Sequence, residues 1–596
     1  LSFPEFDNPL WPILAQVSRP SRYSGSEWRF SRSSSGGSGL KEKAFSVCLA
    51  FPDVYEIGMS YYGFQVLSAF LAEFSGVAVD RAYCPWTDME ALLRKNSLPL
   101  TSTERSIPLS DFDVVGFTLQ HELGYTNVLT MLDLGGIPLR AEKRENGHPV
   151  VIAGGPGALV PGPMSSFIDI FCVGEGEIIL PELLSLLKET QGRDRAERLA
   201  ECARLPGVHV PMLANRVRRE FASSFEETYL PDSMIVPSVG IVHDRAVLEV
   251  FRGCSRGCRF CQAGMTNRPN RERNPETIAE AITKLLRLTG WEEAGLLSLA
   301  TCDYSGIDRL IEELTPKFVA QGINLSLPSL RMDGFSVNLA ARFQKTRRGG
   351  LTFAPEAGTQ RLRDVINKGI DEEAIFTCLE EAFSKGWDKI KLYFMMGLPT
   401  ETEEDLSGIV RLAQESAKLA RRKGRKRISI TVSVAGFVPK AHTPFQWEAQ
   451  NSVEEFKAKG RLLKSQTKDR AISLRYHEPE QSFLEGVLAR GDGRLGDVIE
   501  RAWMKGARFD GWSETFSLSL WLEAFDECGL NPADYVRARV ERENLPWDHI
   551  DVGVTKDFLL KERAAAYAAG RTPDCRRTSG NEQAYVCNAC GLNCGA

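Results

Sequence analysis

The sequence contains no apolar run of the roughly 18 residues that a membrane-spanning helix needs, which excludes a helical integral membrane protein. It has little net charge: 73 Lys and Arg against 78 Asp and Glu leave −5 over 596 residues. That balance exerts no global electrostatic pull on nucleic acid or an anionic membrane. The 14 cysteines lack the paired spacing of a disulfide framework. Three share one short loop, four fall between residues 575 and 596, and seven are scattered, several in apolar runs such as Ser46-Val-Cys-Leu-Ala-Phe51. This is metal usage in a reducing compartment. No secretory signal is recognisable, so a cytoplasmic protein is expected. Hydrophobic content of 43% and charged content of 25% are ordinary for a globular chain. A chain of this length exceeds one core and predicts several domains.

The most informative segment is Phe251-Arg-Gly-Cys-Ser-Arg-Gly-Cys-Arg-Phe-Cys261. Cys254, Cys258 and Cys261 form C-x3-C-x2-C directly after the strand-like run Ala246–Val250. Soft thiolates at this spacing suit an iron–sulfur cluster. A structural zinc site would need a fourth ligand nearby, yet the next His or Cys downstream is Cys302, beyond a predicted helix. The loop, with Phe260 before its last cysteine and Gln262-Ala-Gly264 after it, resembles that of the radical SAM superfamily. The resemblance implies a [4Fe-4S] cluster with one open iron, at which S-adenosylmethionine binds.

Upstream, strand-like runs at Phe45–Phe51, Val77–Val79, Val114–Leu119, Val150–Ala153 and Ile168–Val173 alternate with helical stretches at Gly63–Phe74 and Thr126–Leu134. This is a doubly wound α/β pattern, with ligands expected at the strand carboxyl ends. Those ends carry Phe51-Pro-Asp-Val-Tyr-Glu-Ile-Gly58, Thr118-Leu-Gln-His-Glu122, Ala153-Gly-Gly-Pro-Gly157 and Gly174-Glu-Gly-Glu177. As an ordered set before the cysteine loop they resemble the cobalamin-binding domain of cobalamin-dependent radical SAM enzymes. The resemblance implies cobalamin contacts from Tyr55, Glu56, Gly58, Thr118, Leu119, Gln120, Gly154, Gly155, Gly174, Glu175 and Gly176. Classical cobalamin folds carry Asp-x-His-x-x-Gly after the first strand. The corresponding Pro52–Gly58 has no His, so cobalamin without a protein histidine on cobalt is expected, with His121 in the pocket wall or at the surface.

From 246 to about 447, strand–helix alternation resumes as a partial (β/α)6 barrel requires. By position in the resembled barrel, Thr301, Asp303 and Tyr304 stand where the SAM ammonium is received, and Glu356 where a SAM-contacting Glu lies. Arg331 suits the methionyl carboxylate. A capping box is read at Thr400…Glu403. Lys440, His442 and Thr443 follow a strand at the barrel end where a site is built. Arg421-Arg-Lys-Gly-Arg-Lys-Arg427 carries six positive charges. It lies at a strand amino end without interleaved aromatics, which favours a solvated loop over RNA binding.

Six regions are thus expected: an arm and linker (1–40), a Rossmann-like cobalamin domain (41–187), a connector (188–240) and the radical SAM partial barrel (241–450). A mainly helical domain (451–570) and a Cys-rich tail (571–596) complete them. The helical domain could cap the barrel or simply pack on it. Cys575, Cys587, Cys590 and Cys594 read as an auxiliary metal site holding zinc, iron or a second iron–sulfur cluster. The resemblance implies reductive cleavage of SAM to a 5′-deoxyadenosyl radical, then methyl transfer from methylcobalamin to carbon, with flavodoxin or ferredoxin as reductant. Oxidation or rearrangement without methyl transfer, and a non-enzymatic cobalamin or metal-binding module, are the alternatives. The sequence selects no catalytic residue and no substrate among peptide, RNA, lipid and small molecule.

Overall fold

Strand-forming runs rich in Val, Ile and Phe open each unit of the amino-terminal half. They form β1 (Phe45–Phe51), β2 (Val77–Tyr83), β3 (Val114–Thr118), β4 (Val150–Gly154), β5 (Ile170–Cys172) and β6 (Val208–His209). The structure is a computed structural model that describes residues 10–25, 27, 28, 45–237, 239–326, 332, 337, 350–575, 587–592 and 594. The sheet order is β2-β1-β3-β4-β5-β6, parallel except for antiparallel β6. Every residue of β1 is buried, as expected for a strand covered on both faces. Because β1 pairs with β2 on one side and β3 on the other, the chain reverses direction across the sheet there. That is a topological switch point, with a crevice at the strand carboxyl ends.

Residues 188–210, read from sequence as the start of a connector, belong to this sheet's unit. Asp194 caps the helix Arg195–Cys202 through its carboxylate, and β6 follows. Fully buried Asp169 holds that helix down, pairing with Arg195 at 2.7 Å and Arg144 at 3.0 Å and accepting the Val151 N–H at 2.7 Å. The described part of the arm also docks. Ile13 and Leu14 are buried, Arg22 pairs with Glu56 at 2.8 Å, and the Trp86 N–H donates to the Tyr23 hydroxyl at 3.1 Å.

Further along come β7 (Val217–Arg218), β8 (Ala246–Glu249), β9 (Phe251–Arg252), β10 (Arg271–Glu272), β11 (Glu293–Leu297) and β12 (Asn324–Ser326). They are followed by β13 (Leu351–Glu356), β14 (Lys389–Met396), β15 (Ser429–Gly436), β16 (Ile472–Tyr476) and β17 (Ile550–Asp551). Two parallel sheets, β12-β11-β8 and β13-β14-β15-β16, form the second half with helices between their strands. Strand β16 adds a parallel strand within the segment read as helical, beside β15. The capping box of helix Glu403–Arg422 is Thr402 with Asp405, two residues beyond the expected Thr400…Glu403. Thr400 instead adopts a positive φ of 63° in the turn before it.

Helices Pro479–Ala489, Leu495–Met504 and Leu518–Glu527 pack on the first sheet and share its core. Leu484, Val498 and Trp521 join Val115 and Phe117 in one apolar cluster. Trp503 Nε1 donates to Thr130 at 3.0 Å and Thr126 to the Asp510 carboxylate at 2.8 Å, so buried polar groups fix the register of this contact.

Asp169→Asn would remove the charge that neutralises two buried guanidinium groups. Breaking a buried pair in this way costs about 3–5 kcal/mol. A fall of several degrees in the midpoint of thermal unfolding is expected, and an unchanged midpoint by circular dichroism would contradict it.

Candidate functional site

The cysteine loop spans the short antiparallel pair β9/β10, so its two ends are tied together. Its body is held by a second segment: the Arg259 N–H donates to the Ile366 carbonyl at 3.0 Å, and Asn367 Nδ2 to the Gly257 carbonyl at 3.1 Å. Fully buried Arg259 donates to the carbonyls of Asp364 and Val365 and pairs with Glu562 at 3.0 Å. Cys261 caps helix Gln262–Thr266, its sulfur accepting the Gly264 N–H at 3.3 Å. Burial raises all three thiols, Cys258 to about 12; the Lys368 ammonium opposes that rise at Cys258 and Cys261, and Arg256 and Arg268 oppose it at Cys254. Loading a cluster must therefore expel their protons.

Among the described residues, three metal-ligand atoms within 4.8 Å of one another occur only at His121, Glu122 and Glu485. The loop thiols are set wider than around a single zinc, where bonds of about 2.3 Å hold sulfurs roughly 4 Å apart. A multi-iron cluster is the larger guest.

The residues assigned by position to SAM are placed unevenly. Glu356, at positive φ, pairs with Lys368 at 3.1 Å, and both act electrostatically on Cys258 and Cys261. Lys368 carries no motif and was not singled out from sequence. Asp303 is engaged by the Arg256 guanidinium, within the cysteine loop. Thr301 is fully buried beside Ser298, at 2.9 Å. Buried Tyr304 donates its hydroxyl to the Arg273 carbonyl at 2.5 Å. The polar atoms of Thr301 and Tyr304 thus serve the strand end itself, where short side chains and a bulky ring pack against β8 and β11. Arg331 lies outside the described residues.

At the switch point, a cavity of about 190 Å³ opens between the first sheet and helices Tyr62–Ala72 and Gly176–Glu189. Thr118, Gln120, Gly154, Gly155, Gly174 and Gly176, six of the eleven residues that the resemblance names, line it. Gly155 sits at φ 90°, where a Cβ would lie 2.9 Å from the Leu119 carbonyl oxygen and Gln120 Nε2. Tyr61, Tyr62, Gly116 and Arg252 line the cavity as well. Gly116 was missed because one glycine inside an apolar strand carries no motif. In β3 a Cβ on it would lie 3.3 Å from Ile152 and 3.5 Å from Leu49, so the bare backbone lets those two side chains sit close.

Five expected contacts lie elsewhere. The Tyr55 hydroxyl donates to Glu27 at 2.7 Å, and Glu56 is taken by Arg19 and Arg22, both from the docked arm. A Cβ on Gly58 would meet the Tyr83 ring at 2.5 Å, so that glycine serves packing. Leu119 is buried, its backbone bonded to Gly154 and Gly157. Glu175 is paired with Arg271 at 2.7 Å and Arg252 at 3.3 Å, and it accepts the Ala222 N–H. Arg252 also holds Glu177 at 2.7 Å and Glu249 at 2.9 Å.

A charged cluster follows Gln120 of the cavity wall and reaches the neighbour of Cys261 through Ala441. Lys440, after β15, pairs at 2.8 Å with both Glu122 and Glu485. Burial disfavours its charge, but the two carboxylates outweigh that and raise the ammonium. His121 faces Glu485 at 3.6 Å through Nε2, and its Nδ1 accepts the Leu123 N–H at 3.2 Å. Burial works against a charged His121, and Glu485 reverses that. Next to Lys440, the Ala441 carbonyl accepts from Gln262, the neighbour of Cys261, at 3.2 Å. The basic run is partly paired, Arg421 with Asp469 and Lys423 with Glu380, at the barrel's amino side.

The tail cysteines return to the loop. The Cys575 N–H donates to the Ser255 carbonyl at 3.4 Å, and Asp574 pairs with Arg256 at 3.4 Å. Cys590 is buried beside Leu592, while Cys587 and Cys594 are exposed.

Comparison with known proteins follows these boundaries. Residues 63–211 match the family model for the N-terminal part of radical SAM proteins, and residues 248–413 that of the radical SAM superfamily. An uncharacterized protein of Methanocaldococcus jannaschii, MJ0966, is 27% identical over 76% of this chain and 90% of its own length. The ribosomal protein uS12 methylthiotransferase RimO of Leptospira biflexa is 22% identical over 42% of this chain and 51% of its own. Among solved structures, the radical SAM methyltransferase TsrM of Kitasatospora setae, with cobalamin and a [4Fe-4S] cluster bound, aligns at TM-score 0.47. It is 15% identical, over 69% of this chain and 78% of that one. The cobalamin-dependent radical enzyme OxsB aligns at TM-score 0.45 with 12% identity, over 88% of this chain and 78% of that one.

Two buried histidines make the fold sensitive to acid. Burial depresses His442 to about 4, against a smaller opposing effect of the Leu159 carbonyl 3.0 Å from its Nε2, and His209 likewise to about 4. Below the ordinary 6.5 the unfolded chain takes up protons that the folded chain refuses, so stability falls as pH drops from 6.5 toward 4. The thermal midpoint should decline across that window, and His442→Asn should flatten the decline. Equal slopes for both proteins would refute the assignment.

Proposed function

We propose, from the radical SAM domains that this chain carries, that it is a cobalamin-dependent radical SAM enzyme whose reaction is methyl transfer to an unactivated carbon. The observation that carries this reading is the shared wall of its two sites. Arg252 lines the switch-point cavity and stands two residues before Cys254.

The residues fit the groups they would hold. Cys254, Cys258 and Cys261 offer three soft donors with Lys368 and Glu356 beside them, a set suited to a four-iron cluster and a zwitterionic ligand. Gly116, Gly154 and Gly155 present backbone rather than side chain to the cavity, as close approach of a bulky corrin cofactor requires. When bound, the cluster and SAM supply one-electron cleavage to a carbon radical, and cobalamin supplies the methyl group. The chain's residues orient and enclose. Lys368 neutralises charge at the thiolates. The loop from Phe437 to Phe445 seats Lys440 against Glu122 and Glu485, closing that side of the cluster loop from water. Asp303 holds Arg256 and so the first turn of the loop. Cys575, Cys587, Cys590 and Cys594 hold a second metal centre, and flavodoxin or ferredoxin serves as reductant.

Anaerobic turnover with reconstituted cluster, cobalamin, SAM and dithionite tests the proposal. Formation of S-adenosylhomocysteine together with 5′-deoxyadenosine is expected, and neither product from a loaded protein would overturn it. Deoxyadenosine alone would replace methyl transfer by oxidation or rearrangement. Gly116→Leu adds a side chain to the cavity wall, so cobalamin retained after gel filtration should drop sharply while bound iron stays constant. Full cobalamin retention in that variant would move the cofactor out of this cavity.

A further inference from the structure

One buried cation stands between the two groups of cysteines. Arg268 is 3% exposed, donates through Nε to the Gly264 carbonyl at 3.0 Å, and lies over the Phe558 ring. Its Nη2 is buried without a hydrogen-bond partner. That nitrogen lies 3.5 Å from where a Cβ on Gly257 would be, so it points into the cysteine loop. On the tail side, the Phe558 N–H beneath the guanidinium donates to Thr555 Oγ1 at 3.3 Å, and the Thr555 N–H donates to the Cys590 carbonyl at 2.9 Å. A buried, unsatisfied guanidinium donor is costly unless an anionic partner completes it. Thiolate-ligated centres on both sides would be such partners.

The two centres are also close through the backbone. The Cys575 N–H bonds to the carbonyl of Ser255, the neighbour of Cys254. With standard bond lengths, this bounds the Cys254–Cys575 Cα separation at about 11 Å.

The tail has no need of a metal to reach this place. Arg571 pairs with Asp364 at 2.7 Å, the Thr572 N–H donates to Asn367 Oδ1 at 3.0 Å, and Asn367 Nδ2 donates back to the Thr572 carbonyl at 3.1 Å. Arg259 Nη2 donates to the Gly570 carbonyl at 2.8 Å. A purely structural zinc staple would thus duplicate what side chains already do up to Asp574. The spacing Cys587-x2-Cys590-x3-Cys594 occurs within the bacterial iron–sulfur run C-x2-C-x2-C-x3-C. The Ala589 N–H already donates to Cys587 Sγ at 3.4 Å, as the Gly264 N–H does to Cys261. Cys587 and Cys594 face solvent, whereas the loop cysteines are only partly exposed.

We propose that the four tail cysteines hold an iron–sulfur cluster that relays electrons from solvent to the loop cluster, with Arg268 as the shared counter-charge. The proposal rests on the radical SAM reading of the loop. One electron passes from an external low-potential donor of the flavodoxin or ferredoxin class to the tail cluster, and the same electron passes on to the loop cluster. No bond changes and no proton moves, and the tail cluster ends in the oxidation state in which it began.

The test uses the full chain, reconstituted anaerobically with iron and sulfide. Wild type should bind about eight iron per chain, as two four-iron clusters, and the Cys254→Ala/Cys258→Ala/Cys261→Ala and Cys590→Ser/Cys594→Ser variants about four each. Electron paramagnetic resonance of the reduced wild type should show broadening from two interacting clusters, absent in both variants. Stopped-flow reduction of the loop cluster by reduced flavodoxin should slow by an order of magnitude or more in the tail variant, while dithionite still reduces it. Tightly bound zinc in the tail, iron unchanged by the tail substitutions, or equal rates with flavodoxin would overturn the relay. Iron unchanged by the loop substitutions would instead overturn the radical SAM reading. Circular dichroism and the loop-cluster signal show that the tail variant is folded.

Discussion

The architecture turns on Arg252. Its guanidinium gathers Glu175 and Glu177 from the end of the first sheet and Glu249 from the strand that launches the cysteine loop. Burial pushes the Glu249 carboxyl up, and the guanidinium beside it holds it down. Such a network gains its energy only when all partners are in place, because any one left alone is a buried uncompensated charge. The register between the doubly wound sheet and the cysteine loop is therefore fixed at the atoms that also form the cavity wall. A cofactor in that cavity and a cluster on that loop would be positioned by the same ion pairs.

Much of this was legible in the sequence where local physics is strong. Continuous apolar runs gave the five parallel strands of the first sheet, and C-x3-C-x2-C with its flanking residues gave the loop. Gly154, Gly155, Gly174 and Gly176, weak signals singly, were picked out only as part of an ordered set that resembles a known family, and all four line the cavity. Glu56 and Glu175 were misplaced for a common reason. A carboxylate near a strand end says nothing of its partner, and here the partners are Arg22, 34 residues before Glu56, and Arg271, 96 residues after Glu175. Gly116, Lys368 and Arg268 were invisible because each matters through what packs around it. Strand β16 was hidden by the short polar pattern Ile472–Tyr476, whose outer residues remain partly exposed beside β15.

Packing also reassigns the carboxyl-terminal third. Its helices contribute to the core of the first sheet, and Glu485 reaches the cluster of His121, Glu122 and Lys440. Three separate stretches of chain thus meet beside Ala441, whose carbonyl accepts from Gln262, the neighbour of Cys261. The tail closes the other side of that loop through Asp574 and Cys575. The loop is enclosed by elements drawn from the whole chain, which suits chemistry that must be kept from water and oxygen.

The central claim is that the switch-point cavity and the cysteine loop serve one reaction. The most direct measurement is pulsed electron–electron dipolar spectroscopy on the anaerobically loaded Cys590→Ser/Cys594→Ser chain, with cobalt(II) cobalamin and the reduced loop cluster as the two spins. The account predicts a single short cobalt–cluster distance that disappears in the Gly116→Leu variant. Cobalamin bound without dipolar coupling to the cluster, or coupling unchanged by that substitution, would contradict it.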